Sequence, residues 1–128
     1  MVRLINKWIR REIGQSIVLV AFAIAALCGT AAMVVDVGMI SVAQGKLQNA
    51  ADAAALAAAG SLPDVSSAIN TADQYALLNG IPAANTAVTT PYNGNAKRVE
   101  VVCTMSVPYT FARIFGVQDK VVTARAVA

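Results

Sequence analysis

Residues 13–35 read IGQSIVLVAFAIAALCGTAAMVV, a stretch of 23 positions with no Asp, Glu, Lys or Arg. Glu12 stands immediately before it and Asp36 immediately after. About 20 apolar residues in an α-helix, rising ~1.5 Å each, cross a hydrocarbon core of ~30 Å. Only Gln15, Ser16 and Thr30 are clearly polar inside the stretch, and a Ser or Thr hydroxyl can return a hydrogen bond to its own helix. A helix this apolar could instead be buried inside a soluble domain. A chain of 128 residues has too little other mass to cover it on all sides. We read residues 13–35 as a membrane span.

Working outward, composition agrees. Hydrophobic residues make up 57% of the chain and charged residues only 13%, which points to a membrane or polymer-packed chain. The formal net charge of +3 sits in the N-terminal tail, where Arg3, Lys7, Arg10 and Arg11 outweigh Glu12. Acids and bases balance over the remainder. A basic tail ahead of a span is the positive-inside pattern, and Trp8 sits where an interfacial aromatic belongs. Nucleic-acid binding calls for Lys and Arg spread over a folded face, which the body of the chain lacks.

The stretch is too long for the h-region of a cleaved signal peptide, usually 7–15 residues. Ala25-Ala26-Leu27-Cys28 is a poor lipoprotein site, because Leu27 is bulky where a small residue is wanted and the apolar run continues past Cys28. Cys28 and Cys103 are too few for a disulfide framework and are expected to be free, buried thiols. The chain has no His, which removes the commonest metal ligand and the commonest general base.

The helix is expected to continue beyond Val35. Residues 37–60 run VGMISVAQGKLQNAADAAALAAAG without proline and are rich in strong helix formers. Gly38 and Gly45 mark candidate bends, Gly60 a C-terminal cap, and Pro63 blocks continuation. Small residues recur four apart at Ala21, Ala25 and Gly29, and again at Ala50, Ala54 and Ala58. That spacing lets helix backbones approach closely, which favours helix association in membranes. Alanine is also simply common in helices, so the second set has two readings.

Asp64 or Ser66 can cap a second helix over about 65–78, with an apolar stripe of Val65, Ile69, Ala72 and Ala76. Asn79-Gly80 and Pro82 end it. The period then changes from helical to two. Residues 86–90 read as a short strand, and Asn93-Gly94 is a strong hairpin signal. Residues 98–107 alternate cleanly, placing Val99, Val101, Cys103, Met105 and Val107 on one face. Residues 109–115 form a short helix or turn, and 120–127 a final strand. The fold class is α+β: a basic tail over 1–12, a long helix over 13–60 containing the span 13–35, and a small domain over 61–128. The last is expected to dock on the second half of the long helix.

No motif of chemistry is present: no P-loop, no GxGxxG, no metal-spaced cysteines and no Ser–His pair. We therefore expect no enzyme activity, no cofactor and no metal. Asp52, Asp64 and Asp73 read as solvated charge. Asp36, at the end of the span, either marks the membrane boundary or pairs with a tail cation or Lys46 of a neighbouring copy.

The run from Arg10 to Gly60 resembles the N-terminal segment of TadE/TadG-like proteins of tight-adherence (Flp) pilus systems. The resembling features are the basic residues and Gly14 before the span, the exit Val35-Asp36-Val37-Gly38, and the block LQNAADAAALAAA over residues 47–59. The C-terminal part is similar too, in its alternating strand, in TFARIFG over 110–116, and in the Val-, Thr- and Ala-rich end. The resemblance implies an inner-membrane protein, N-terminus cytoplasmic, that is pilin-like and takes part in pilus assembly or is a filament subunit. Its implied partners are copies of itself, other pilus subunits and the inner-membrane assembly platform. Longer TadG-like members carry an additional adhesion-type domain, for which this chain is too short. Gly14 is the candidate processing site. Cutting after it would place Leu19 at the fifth mature position, where type IV pilin-like proteins usually carry an acid.

Overall fold

The computed structural model describes the backbone of residues 2–128 and the side chains of residues 14–128. The tail cations, Glu12 and Trp8 lie outside the described side chains. One helix, α1, runs Val2–Ala59 without interruption, through both Gly38 and Gly45. At ~1.5 Å per residue its 58 residues reach ~87 Å. The hydroxyls of Thr30 and Ser41 are returned to the carbonyls of Leu27 and Val37 of the same helix, at 2.9 and 3.0 Å.

Gly60 does not supply the expected left-handed cap, since the positive-φ glycines are Gly80, Gly94 and Gly116. The helix instead tightens into a turn, with Ser61 N–H donating to Ala58 and Leu62 N–H to Ala59. That satisfies two of the terminal carbonyls without a change of handedness.

Helix α2 spans Val65–Leu78. The Asp64 carboxylate caps its start by accepting from Ser67 N–H at 3.1 Å. Its end is a Schellman motif: Ile81 N–H reaches Ala76 O and Gly80 N–H reaches Leu77 O, with Gly80 left-handed. The buried stripe of α2 is Ala68, Ala72 and Ala76, not the expected Val65, Ile69, Ala72 and Ala76. Val65 and Ile69 are exposed. The smaller side chains face inward because they let α2 lie close against the alanine-rich face of α1.

Strands β1 (Thr86–Thr89), β2 (Glu100–Pro108) and β3 (Asp119–Val127) form one antiparallel sheet in the order β1-β2-β3. In the connection between β1 and β2, Asn93 and Gly94 both take positive φ and form the tip of the turn bridged by Tyr92 and Asn95. Two left-handed central residues are what Asn-Gly favours. Along β2 the expected face holds: Val99, Val101, Cys103 and Val107 are buried and Met105 is half-buried.

The core lies where the second half of α1 meets α2 and the sheet. Helix α1 contributes Ala43, Leu47, Ala50, Ala51, Ala54, Ala55 and Ala58. Opposite stand the three alanines of α2, Ile81, the β2 valines with Cys103, and Val122 and Ala124 of β3. Alanines set the helix spacing, and a few larger side chains, chiefly Leu47, Ile81, Val99 and Val101, fill the remaining volume. The compact unit therefore includes the second half of α1 and leaves the first half outside.

Candidate functional site

From residue 14 to 35, ahead of the domain, α1 is apolar and largely uncovered. An 18-residue window within Gly14–Ala59 has a mean hydropathy of 2.6 and none of it is buried by the rest of the chain. Ile17, Leu19, Phe22, Leu27, Met33 and Val34 are each at least 66% exposed. A soluble chain cannot leave so much contiguous apolar surface in water. The helix is long and apolar enough to cross a membrane.

The small residues divide into two groups. Gly14, Ala21, Ala25 and Gly29 lie on the exposed half, and a Cβ added at Gly29 meets no atom within 4 Å. Ala50, Ala54 and Ala58 are fully buried within the chain's own core. Their spacing serves helix packing against α2 and the sheet, so these three side chains present no surface to another copy. Cys28 is exposed on the apolar half, contrary to the expected burial, while Cys103 is buried; both are free. Burial pushes the Cys103 thiol up, against a smaller opposing contribution from Thr86.

Asp36 joins the two halves. Its side chain is buried, at 5% exposure, although the residues on either side are exposed. The carboxylate accepts three successive backbone N–H groups from the β2–β3 connection. Thr110 donates to Oδ1 at 2.7 Å, Ala112 donates to Oδ2 at 2.8 Å, and Phe111 bridges both oxygens at 3.2 and 3.1 Å. Successive amides of this kind form an anion-binding concavity. Desolvation by burial works to raise the carboxyl, and the N–H donors of Ala112, Thr110 and Phe111 outweigh it, so Asp36 titrates below the ordinary Asp value. Within its own chain Asp36 is thus satisfied by backbone N–H groups rather than by a cation. Nothing in the local sequence signals this contact, since the partners lie 74 to 76 residues away.

Beyond the amide cluster, a short 3-10 turn, Ala112–Phe115, ends at the left-handed Gly116. It folds back along α1. Cys28, Gly29 and Met33 of the helix and Phe111, Ile114 and Phe115 of the turn line one apolar cleft of about 390 Å³. Ile114 and Phe115 are 79% and 86% exposed.

A second tie was also missed from the sequence. Gln44 Nε2 donates to the Thr123 carbonyl at 3.2 Å, and Gln48 Nε2 to the Arg125 carbonyl at 3.3 Å. Four residues of helix advance ~6 Å and two residues of antiparallel strand ~6.8 Å, so i, i+4 glutamines match i, i+2 carbonyls. β3 is an edge strand, and α1 covers part of its free edge in this way. On the sheet, Arg125 pairs with Glu100 and stacks over the Tyr92 ring at 5.6 Å. Among the described residues, no group of three or more His, Cys, Asp or Glu comes together.

An uncovered, membrane-length helix that runs on into a small α+β head is consistent with a membrane-anchored protein of the helix-and-head class. Residues 14–61 match the model of the Flp pilus-assembly TadE/G-like family, Tad, and over this segment the chain is similar to that family. The match spans the described apolar half of α1, the Asp36 position and the alanine block. No curated protein and no solved structure matches the chain. Helix and family together fit a Tad pilus-associated protein.

Proposed function

We propose that this protein is a structural, pilin-like subunit of a Tad/Flp-type pilus, with no catalytic role. The observation that carries this reading is the apolar half of α1, wholly uncovered by its own domain. In the cytoplasmic membrane that surface faces lipid, with the basic tail inside and the α+β head outside. On assembly it faces the same helix of neighbouring subunits, and Ala21, Ala25 and Gly29 permit close backbone approach. Burial of apolar surface holds the bundle, and the head lies on the filament's exterior.

The alternative is a membrane-resident assembly factor that keeps the helix as a permanent anchor and binds pilins through the head. One feature favours it: Leu19, not an acid, occupies the fifth position after Gly14. Intact-mass measurement on sheared extracellular filaments, beside the membrane fraction, separates the two. Abundant protein in the filaments supports the subunit. Its mass there reports whether the chain is cut after Gly14. Protein confined to the membrane fraction makes it the assembly factor.

A further inference from the structure

We propose that the turn over residues 110–117 is a second membrane contact, which seats Ile114 and Phe115 among the lipid acyl chains beside α1. The proposal rests on the reading of residues 13–35 as a span, and on neither the subunit nor the assembly-factor role.

Position carries the argument first. Phe111, Ile114 and Phe115 share a cleft with Cys28, Gly29 and Met33. Cys28 lies just over two helical turns, ~12 Å, to the membrane side of Asp36. If the span is in lipid, the side chains that flank it at that level are in lipid too. Asp36, at the boundary, holds the turn in this place through the three N–H bonds.

Backbone satisfaction carries it next. A segment that enters a bilayer must have its N–H groups bonded within the protein, because no water is there to take them. Here Asp36 takes the N–H groups of Thr110, Phe111 and Ala112. Those of Ile114, Gly116 and Val117 go to the carbonyls of Phe111, Arg113 and Ala112. Six N–H groups of the turn are bonded in this way, while its largest apolar side chains stay open. Arg113 immediately precedes Ile114 and Phe115 and is exposed, and a guanidinium on a long stem can stay with the headgroup phosphates.

In the membrane-inserted chain, before any assembly, the occupant is lipid rather than a second copy, because the turn's exposed side chains border the same cleft as the lipid-facing residues of the span. The test uses the full chain in phosphatidylethanolamine/phosphatidylglycerol vesicles, with Trp8→Phe as background and Phe115→Trp as reporter. Lipids brominated near the headgroup end of the acyl chain are expected to quench the reporter and its emission to be blue-shifted. Leu56→Trp, on the far half of α1, should emit as in water and remain unquenched. Adding Ile114→Asp to the reporter should reduce the quenching several-fold. Emission as in water from a chain that floats with the vesicles overturns the second contact and leaves the span intact. A blue shift that grows with protein density, without quenching by brominated lipid, means a second copy covers the turn and also overturns it. Failure to float sinks the span and the contact together.

Discussion

Asp36 on α1 and Ala112 in the β2–β3 connection stand 76 residues apart and are joined by a 2.8 Å hydrogen bond, the carboxylate accepting from the backbone N–H. With Thr110 and Phe111 alongside, this one side chain sets where the last hairpin of the sheet meets the helix. It acts at the junction between the uncovered half of α1 and the folded unit.

Removing that acceptor should free the turn. Asp36→Ala leaves three N–H groups without a partner, and Asp36→Asn replaces one acceptor oxygen with a donor that opposes them. Both variants are expected to speed hydrogen exchange at Thr110, Phe111 and Ala112 while leaving α2 protected. Unchanged exchange at these amides would falsify the clamp. The pH dependence has a definite sign. The native Asp36 titrates below its unfolded value of ~3.9, so its contribution is fully present above that pH and is lost as pH falls through the native value. Exchange at 110–112, taken relative to the intrinsic rate at each pH, should therefore rise on acidification below about pH 3.9 in the parent. In Asp36→Asn it should already be high and respond less.

The glutamine pair is testable by its additivity. Each of Gln44→Ala and Gln48→Ala removes one hydrogen bond to the β3 edge, at a cost of about 0.5–1.5 kcal/mol. Thermal or denaturant unfolding of the detergent-solubilised chain reads this directly. The double variant should also self-associate more through the uncovered edge. A double variant as stable as the parent means that water serves the Thr123 and Arg125 carbonyls equally well.

Gly80 carries two separable constraints. Its φ is +79°, and an added Cβ would sit 3.0 Å from Lys46 Nζ. Gly80→Ala should cost roughly 1–2 kcal/mol from the left-handed backbone. Adding Lys46→Ala removes the contact and not the backbone strain, so it should restore little. Full recovery in the double variant would show the steric contact to be the whole effect.

The exposed small residues test the assembly reading. Gly29→Leu meets no atom of its own chain at the new Cβ, so the head should fold and the helix should insert as before. Incorporation into filaments should fall sharply, since close backbone approach is lost. Normal filaments, scored by electron microscopy, count against a seam through Ala21, Ala25 and Gly29.

The two thiols should behave differently. Cys103 is fully buried and its thiol is held protonated by that burial, so a water-soluble maleimide should modify it only on unfolding. Modification of the folded head at Cys103, mapped by peptide mass, would mean that β2 opens without global unfolding.

Much of the architecture is readable residue by residue. Charge-free apolar length over 13–35 dictates a helix, and the described residues leave its apolar window uncovered. Helix propensity carries α1 through two glycines to residue 59. Asp64 and Asn79-Gly80 delimit α2, Asn93-Gly94 makes its turn, and alternation sets the inward face of β2. These features depend on nearest neighbours along the chain. Local signals fail where two elements compete for one surface. The Val65 and Ile69 stripe is plausible for an isolated amphipathic helix, yet α2 turns Ala68, Ala72 and Ala76 inward because α1 presents alanines and rewards close approach. The Gly60 cap gives way for a similar reason of context, since a tight turn already satisfies the helix end.

What the tertiary structure alone decides is partnership. Ala21, Ala25 and Gly29 share a spacing with Ala50, Ala54 and Ala58, and only the fold shows that the second set is spent inside the chain while the first stays open. Asp36 reads from sequence as a boundary charge in search of a cation, and only the fold brings three backbone amides to it from the far side of the sheet. Spacing specifies which side chains share a face. Which other surface meets that face depends on long-range burial and on satisfying buried polar groups, and those are properties of the whole chain.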